Sequence, residues 1–239
     1  MYKRIILKLS GETLAPESYS PTDASHSFEA VRVDRAAKAI ADLADLGVQV
    51  GVVMGGGNIW RGRFTEAMNP VLADQMGMLA TIINALAVQD ALLRLGKRAV
   101  VFTAQEMTRF ADLYRADRAV QAMEDGAIVL LSGGTGNPFF TTDTGAALRA
   151  AELKADAVFK GTTVDGVYDS DPRKNPDARL IRDITYRETI ERGLKVMDTS
   201  AFQLCLDQKI PCIRVFNMDD LNNILRVAKG EDLGTVVHL

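Results

Sequence analysis

Short β-branched runs that alternate with helix-length apolar patterns restrict this chain more than any other feature. Residues 4–9 are an apolar run, 34–46 carry Ala36, Ile40 and Leu43 at helical spacing with Gly47 as a stop, and 48–54 read as a β-branched strand. The pattern continues with a helix over 78–95, a strand over 99–102, a helix over 118–125 and a strand over 127–131. A helix follows over 144–153, then a strand over 157–159, a hairpin-type turn at Asp165-Gly166 and a strand-like 179–184. Helices near 186–192 and 199–208, a strand over 212–216, a helix over 221–228 and a last strand over 235–238 complete the chain. Strands separated by helices predict an α/β fold, a mainly parallel sheet with both faces covered. No linker, repeat or low-complexity tract interrupts it, and only 15–28, with Pro16 and Pro21 and little periodicity, reads as a surface loop.

At 239 residues, 47% of them apolar, the chain can bury a full core. A formal charge of −3 argues against a protein devoted to nucleic-acid backbones. Cys205 and Cys212 stand without a second pair or clustered histidines, so they read as core thiols and not as a disulfide framework or zinc site. The N-terminus lacks the apolar stretch of a signal peptide and no run is read as reaching membrane-spanning length, so a cytoplasmic location and no membrane partner are expected.

In open α/β sheets ligands bind outside the carboxyl ends of the strands, and four loops fall there. The longest, 132–143, reads Ser-Gly-Gly-Thr-Gly-Asn-Pro-Phe-Phe-Thr-Thr-Asp before a helix, whereas such connections usually run about 2–6 residues. Its glycines and the helix N-terminus offer backbone N–H groups to an anion. The second loop is Lys8-Leu9-Ser10-Gly11-Glu12, a lysine at a strand end followed by a tight turn. The third is Gly55-Gly56-Gly57-Asn58-Ile59-Trp60-Arg61, where three glycines suggest that side chains are excluded to admit a ligand and Arg61 supplies a fork suited to phosphate. The fourth runs from Lys160 to Asp171 and contains Thr162, Tyr168 and Asp171. Neither a Walker loop nor a dinucleotide-binding Gly-x-Gly-x-x-Gly is present. Four such loops with a lysine and an arginine indicate a site for more than one phosphate group.

These motifs, with the string Asp74-Gln-Met-Gly-Met, the segment Val164-Asp-Gly-Val-Tyr168 and Arg214-Val-Phe-Asn217, resemble those of the bacterial uridylate (UMP) kinases of the amino acid kinase superfamily, from Tyr2 to about Val236. The resemblance implies transfer of the γ-phosphoryl of ATP to UMP in pyrimidine nucleotide biosynthesis. It also implies a single three-layer α/β/α domain over 1–239, with an acceptor-binding half to about residue 145 and an ATP-binding half from about 146. A homohexamer, Mg²⁺ carried with ATP and feedback inhibition by UTP follow from it as well. By the same resemblance Lys8, Leu9, Ser10, Gly11, Gly57 and Arg61 would contact ATP phosphates, with Lys8 and Arg61 catalytic, and Thr162, Tyr168 and Asp171 would surround adenosine. Gly56, Asp74, Thr135, Gly136, Asn137, Pro138, Phe139, Phe140, Thr141 and Thr142 would hold UMP. Two departures stand out: the loop 15–28 is long and glycine-free where relatives linked to GTP activation have a short glycine-containing one, and Thr163 replaces a common lysine.

The residue chemistry agrees. A phosphate monoester with a second pKa near about 6 is nucleophilic at neutral pH and needs no general base. The difficulty is bringing two anions together, so alignment and charge neutralisation are expected to carry catalysis, without a dedicated metal-binding cluster. Asp143 stands before a helix and is expected to cap it; Asp198 is expected to cap a helix and to face the phosphates. One of Phe139 and Phe140 is expected against the base and the other in the core. Other superfamily chemistries, with carbamate, glutamate or acetylglutamate as acceptor, and a non-catalytic nucleotide-binding subunit are the competing readings.

Overall fold

A computed structural model describes residues 2–18, 27–61 and 68–239. Its core is a nine-stranded sheet built from β1 (Arg4–Leu9), β2 (Gln49–Met54), β3 (Ala99–Thr103), β4 (Asp112–Leu113), β5 (Ile128–Ser132), β6 (Ala157–Thr162), β9 (Asp183–Thr185), β10 (Cys212–Asn217) and β11 (Thr235–His238). The order is β4-β3-β5-β2-β1-β6-β10-β11-β9. Every pairing is parallel except β10 with β11. Two short strands, β7 (Val167–Tyr168) and β8 (Leu180–Ile181), form a separate antiparallel pair.

Alternation along the strands divides the core. Ile5, Leu7 and Leu9 enter one apolar cluster with side chains of α1 (Ala30–Asp45), α2 (Pro70–Arg94) and α7 (Asn222–Ala228). Ile6 and Val53 enter the other, with α3 (Ala116–Glu124), α4 (Thr142–Glu152), α5 (Tyr186–Glu191) and α6 (Thr199–Asp207). The result is the expected three-layer α/β/α sandwich.

Several local expectations are corrected. Helix α2 begins at Pro70, because Asn69 caps it by accepting the Val71 N–H (2.9 Å) and Pro70 fits a first-turn position. It spans 25 residues with a mean hydropathy of 1.6 over its most apolar stretch, so by length and composition it could cross a membrane, contrary to the sequence expectation. Here one side packs on the sheet and on α1, while Leu72, Met76, Leu79 and Ile83 lie exposed. Asp165-Gly166 does not turn a hairpin; β7 pairs with β8, and Gly166 tucks against Thr235, whose Oγ1 would lie 2.6 Å from an added Cβ. The strand expected over 179–184 is split into β8 and β9. Of the proposed surface loop 15–28, residues 19–26 lie outside the described residues, and Ala15 is buried.

Candidate active site

The central strands deliver the charged groups. On β1, Lys8 shares the face of Ile6, toward α4, and in the parallel register it stands beside Lys160 of β6. Two ammonium groups therefore converge under the first turn of α4, where Asp143 meets both: Lys160 Nζ donates to its oxygens at 2.6 and 2.5 Å, and Lys8 Nζ lies 3.2 Å away. One carboxylate between two lysines leaves positive charge in excess. Burial and repulsion from Lys8 push the Lys160 ammonium down to about 8 despite Asp143, and the two lysines outweigh burial to hold the Asp143 carboxyl below its ordinary value. The expectation for Asp143 is thus overturned. Thr141 caps α4, its hydroxyl accepting the N–H groups of Asp143 (3.1 Å) and Thr144 (3.3 Å), which leaves the Asp143 side chain to the lysines. Sequence reasoning missed Lys160, whose only signal was its place at the end of a strand adjacent to that of Lys8.

Asp198 caps α6 as expected, accepting the Ala201 N–H at 2.7 Å. It also receives the hydroxyls of Thr141 and, at 2.9 Å, Thr144, so it ties α6 to the start of α4. It does not line the cavity around Lys8 and Lys160, and its expected position facing the phosphates is not seen.

The three glycines make room for close approach of the chain, and Gly56 and Gly57 also line a cavity. A Cβ at Gly56 would come within 2.9 Å of the Gly77 carbonyl and the Ala80 methyl of α2. One at Gly55 would lie 3.0 Å from the Gly11 nitrogen. The loop is held from beneath by two buried amides: Asn84 of α2 donates to the Gly55 carbonyl (2.6 Å) and to Asn58 Oδ1 (2.7 Å), while Asn58 donates to Ser27 O (2.8 Å). Such a network, built on buried amides, fixes one loop geometry.

A cavity of about 400 Å³ opens between this loop, α2 and the long loop after β5. It brings together Gly56, Gly57, Arg61, Asp74, Thr135, Asn137, Phe140, Thr141 and Thr142, to which the structure adds Glu12 and Trp60. Gly57, grouped with the ATP phosphates by sequence, lines this cavity. Gly136, Pro138 and Phe139 do not. Gly136 turns the loop at φ +84° and passes its carbonyl to Gln105 Nε2 (2.9 Å). Phe139, at φ +70°, is 73% exposed and Phe140 54%, so neither ring plugs the core; the left-handed backbone at Phe139 breaks the strand-like alternation on which that expectation rested. The Phe139 N–H donates to Asp74 Oδ2 at 2.7 Å, so the acidic residue of α2 clasps the loop across the cavity mouth.

A second cavity, of about 580 Å³, contains Lys8, Ser10, Arg61, Lys160 and Thr162. It meets the first at Glu12 and Arg61, which line both. Beyond Thr162 and Val196 a third hollow, of about 470 Å³, holds Tyr168 and Asp171. Leu9 and Gly11 line none of the three: Leu9 is in the core, and a Cβ at Gly11 would overlap Asn58 Oδ1. Asp171 accepts the Arg173 N–H (3.0 Å), and the Arg173 guanidinium hydrogen-bonds the Thr163 hydroxyl, which gives that position a cationic neighbour.

A parallel sheet sandwiched by helices, with paired lysines at its carboxyl edge and joined polar hollows above them, defines a class of α/β protein suited to holding two anionic ligands end to end. Residues 3–217 match the model of the amino acid kinase family. The chain is 48% identical to a uridylate kinase of Bacteroides thetaiotaomicron, over 99% of this chain and 98% of the relative. Its fold superposes on a UMP kinase of Bacillus anthracis with a TM-score of 0.93 at 36% identity, covering 99% and 96% of the two chains. A uridylate kinase of Archaeoglobus fulgidus gives 0.73 at 27% identity, covering 98% and 99%. The chain belongs to the amino acid kinase family and, within it, to the uridylate kinases.

Proposed function

We propose that this chain is a nucleoside monophosphate kinase that transfers the γ-phosphoryl of ATP to UMP, giving UDP and ADP, in pyrimidine nucleotide biosynthesis. The observation that carries the reading is the pair of cavities joined at Arg61, with Lys8 and Lys160 on the floor of one and the 132–143 loop on the wall of the other. In it, UMP occupies the cavity of Gly56, Asp74, Thr135 and Thr142, and the ATP phosphates lie over Lys8, Ser10 and Lys160 with adenosine toward Thr162, Tyr168 and Asp171. The residues up to about 145 then supply the acceptor cavity together with Lys8 and Ser10 beneath the ATP phosphates, and those from about 146 the rest of the donor site.

The chemistry asks for no base: the acceptor phosphate attacks in line, the bond from the γ-phosphorus to the bridging oxygen breaks, and ADP leaves. Lys8, Lys160 and Arg61 offset the charge that gathers on the transferring group, and Asp143 keeps the two ammoniums at a fixed spacing. Kinase chemistry of this kind uses a divalent cation, and Mg²⁺ arriving on the nucleotide fits these residues. Both Asp143 oxygens are engaged by lysine, and among the described residues no group of three or more His, Cys, Asp or Glu side chains could hold an ion. Phosphate and water oxygens would make most of its shell, and the ion would supply further charge neutralisation. A cytoplasmic homohexamer inhibited by UTP at the acceptor cavity completes the proposal; the exposed stripe of Leu72, Met76, Leu79 and Ile83 on α2 supports contact with a second copy.

The test is an ATP-dependent phosphorylation assay run side by side with UMP, CMP, dTMP and acetylglutamate. UDP formation with UMP preferred is the expected result. Phosphorylation of acetylglutamate instead, or no transfer at all, would overturn the reading.

A further inference from the structure

A carboxylate at the seam between two phosphate-bearing ligands should repel both, yet Glu12 stands there. It sits on the 3-10 turn Gly11–Leu14 that follows β1, and with Arg61 it lines both cavities. The Arg61 guanidinium is held in the loop: its Nε donates to the Gly57 carbonyl at 3.0 Å and its terminal nitrogen to Glu12 Oε1. Space is kept for that carboxylate, since a Cβ on Gly57 would lie 2.8 Å from Glu12 Oε1. The Arg61 side chain is 19% exposed, so the fork is held where water competes little for it. Contacts from Nε and a terminal nitrogen of a planar, delocalised cation set the orientation of its plane as well as its position.

We infer that Glu12 is a positioning residue for phosphoryl transfer: its carboxylate fixes the plane of the Arg61 fork at the seam of the acceptor and donor cavities before the substrates arrive. The inference rests on the proposed kinase reaction and on Arg61 serving the transferring group. Repulsion from Glu12 is offset by the neighbouring cations, and the gain lies in a guanidinium that need not reorganise during transfer.

Steady-state kinetics of Glu12→Ala, Glu12→Gln, Arg61→Ala and the double alanine variant, varying ATP and UMP in turn, test this. Glu12→Ala is expected to lose roughly 10–100-fold in kcat, the scale of a misplaced catalytic group. Its KM values for both substrates should stay within about threefold of wild type. Glu12→Gln, which keeps an acceptor oxygen, should restore most of kcat, and the double variant should be no slower than Arg61→Ala alone. Losses that multiply in the double variant would show that Glu12 acts independently of Arg61. A lower KM for UMP at unchanged kcat in Glu12→Ala would show a competitor of the phosphate instead; either result overturns the inference. Wild-type kcat in Arg61→Ala would remove the role of Arg61 itself, a failure distinct from both. Should the alanine variant not fold, Glu12→Ser takes its place in the same comparison.

Discussion

Lys160 is the residue whose behaviour is most open to measurement. Its folded pKa, near 8, lies below the roughly 10.4 of an unfolded lysine, because burial and Lys8 disfavour the charged form more than Asp143 favours it. The ammonium is thus lost from the free protein as pH rises through about 8, and kcat/KM, which reports the free enzyme, is expected to fall on that limb. Lys160→Arg should hold kcat/KM level through the same range, since a guanidinium does not titrate there. For stability the sign is reversed: between the folded and unfolded pKa values the unfolded chain binds more protons, so this group's cost to folding is relieved as pH rises. Urea midpoints of wild type and Lys160→Met compared across that window check it. Lys8 was visible in the sequence because a lysine ending an apolar run, followed by Ser-Gly, is unusual. Lys160 was not, because its neighbour is 152 positions away and only the pairing register joins them.

At the scale of elements, the carboxyl-edge loops were legible and their internal reasons were not. Gly55, Gly56 and Gly57 announced a loop from which side chains are excluded, but the sequence does not say that Gly11, the Gly77 carbonyl and Glu12 press on it. Likewise Asn58 and Asn84 are ordinary residues until strand and helix bring their amides together under that turn. Replacing Asn84 with Ala removes the donor to the Gly55 carbonyl and to the buried Asn58 Oδ1, so a loss of about 1–3 kcal/mol in equilibrium urea unfolding is expected. Helix α2 shows the same limit. Its apolar character was clear, but an even spread of apolar residues conceals which side meets the sheet, and its start at Pro70 depended on the Asn69 cap.

For the whole molecule, the alternation of strands and helices was enough to expect a parallel sheet covered on both faces, and the sandwich bears that out. What lies outside the sheet is left to assembly. The exposed positions 72, 76, 79 and 83 recur at helical spacing, and a charge placed among them should disfavour contact between copies. Leu79→Glu is expected to lower the mass seen by light scattering from a sizing column while leaving the circular dichroism of the fold in place. An unchanged mass would exclude this face as the contact. A different consequence follows from the register of β1 with β6. The paired lysines are 152 positions apart, and Lys8 meets Lys160 and Asp143 only once those strands lie side by side. Contacts so distant in sequence form late and together. Turnover in a refolding experiment should therefore appear with closure of the central sheet and never ahead of it, which makes the first detectable product a clock for the moment the two halves of the chain join.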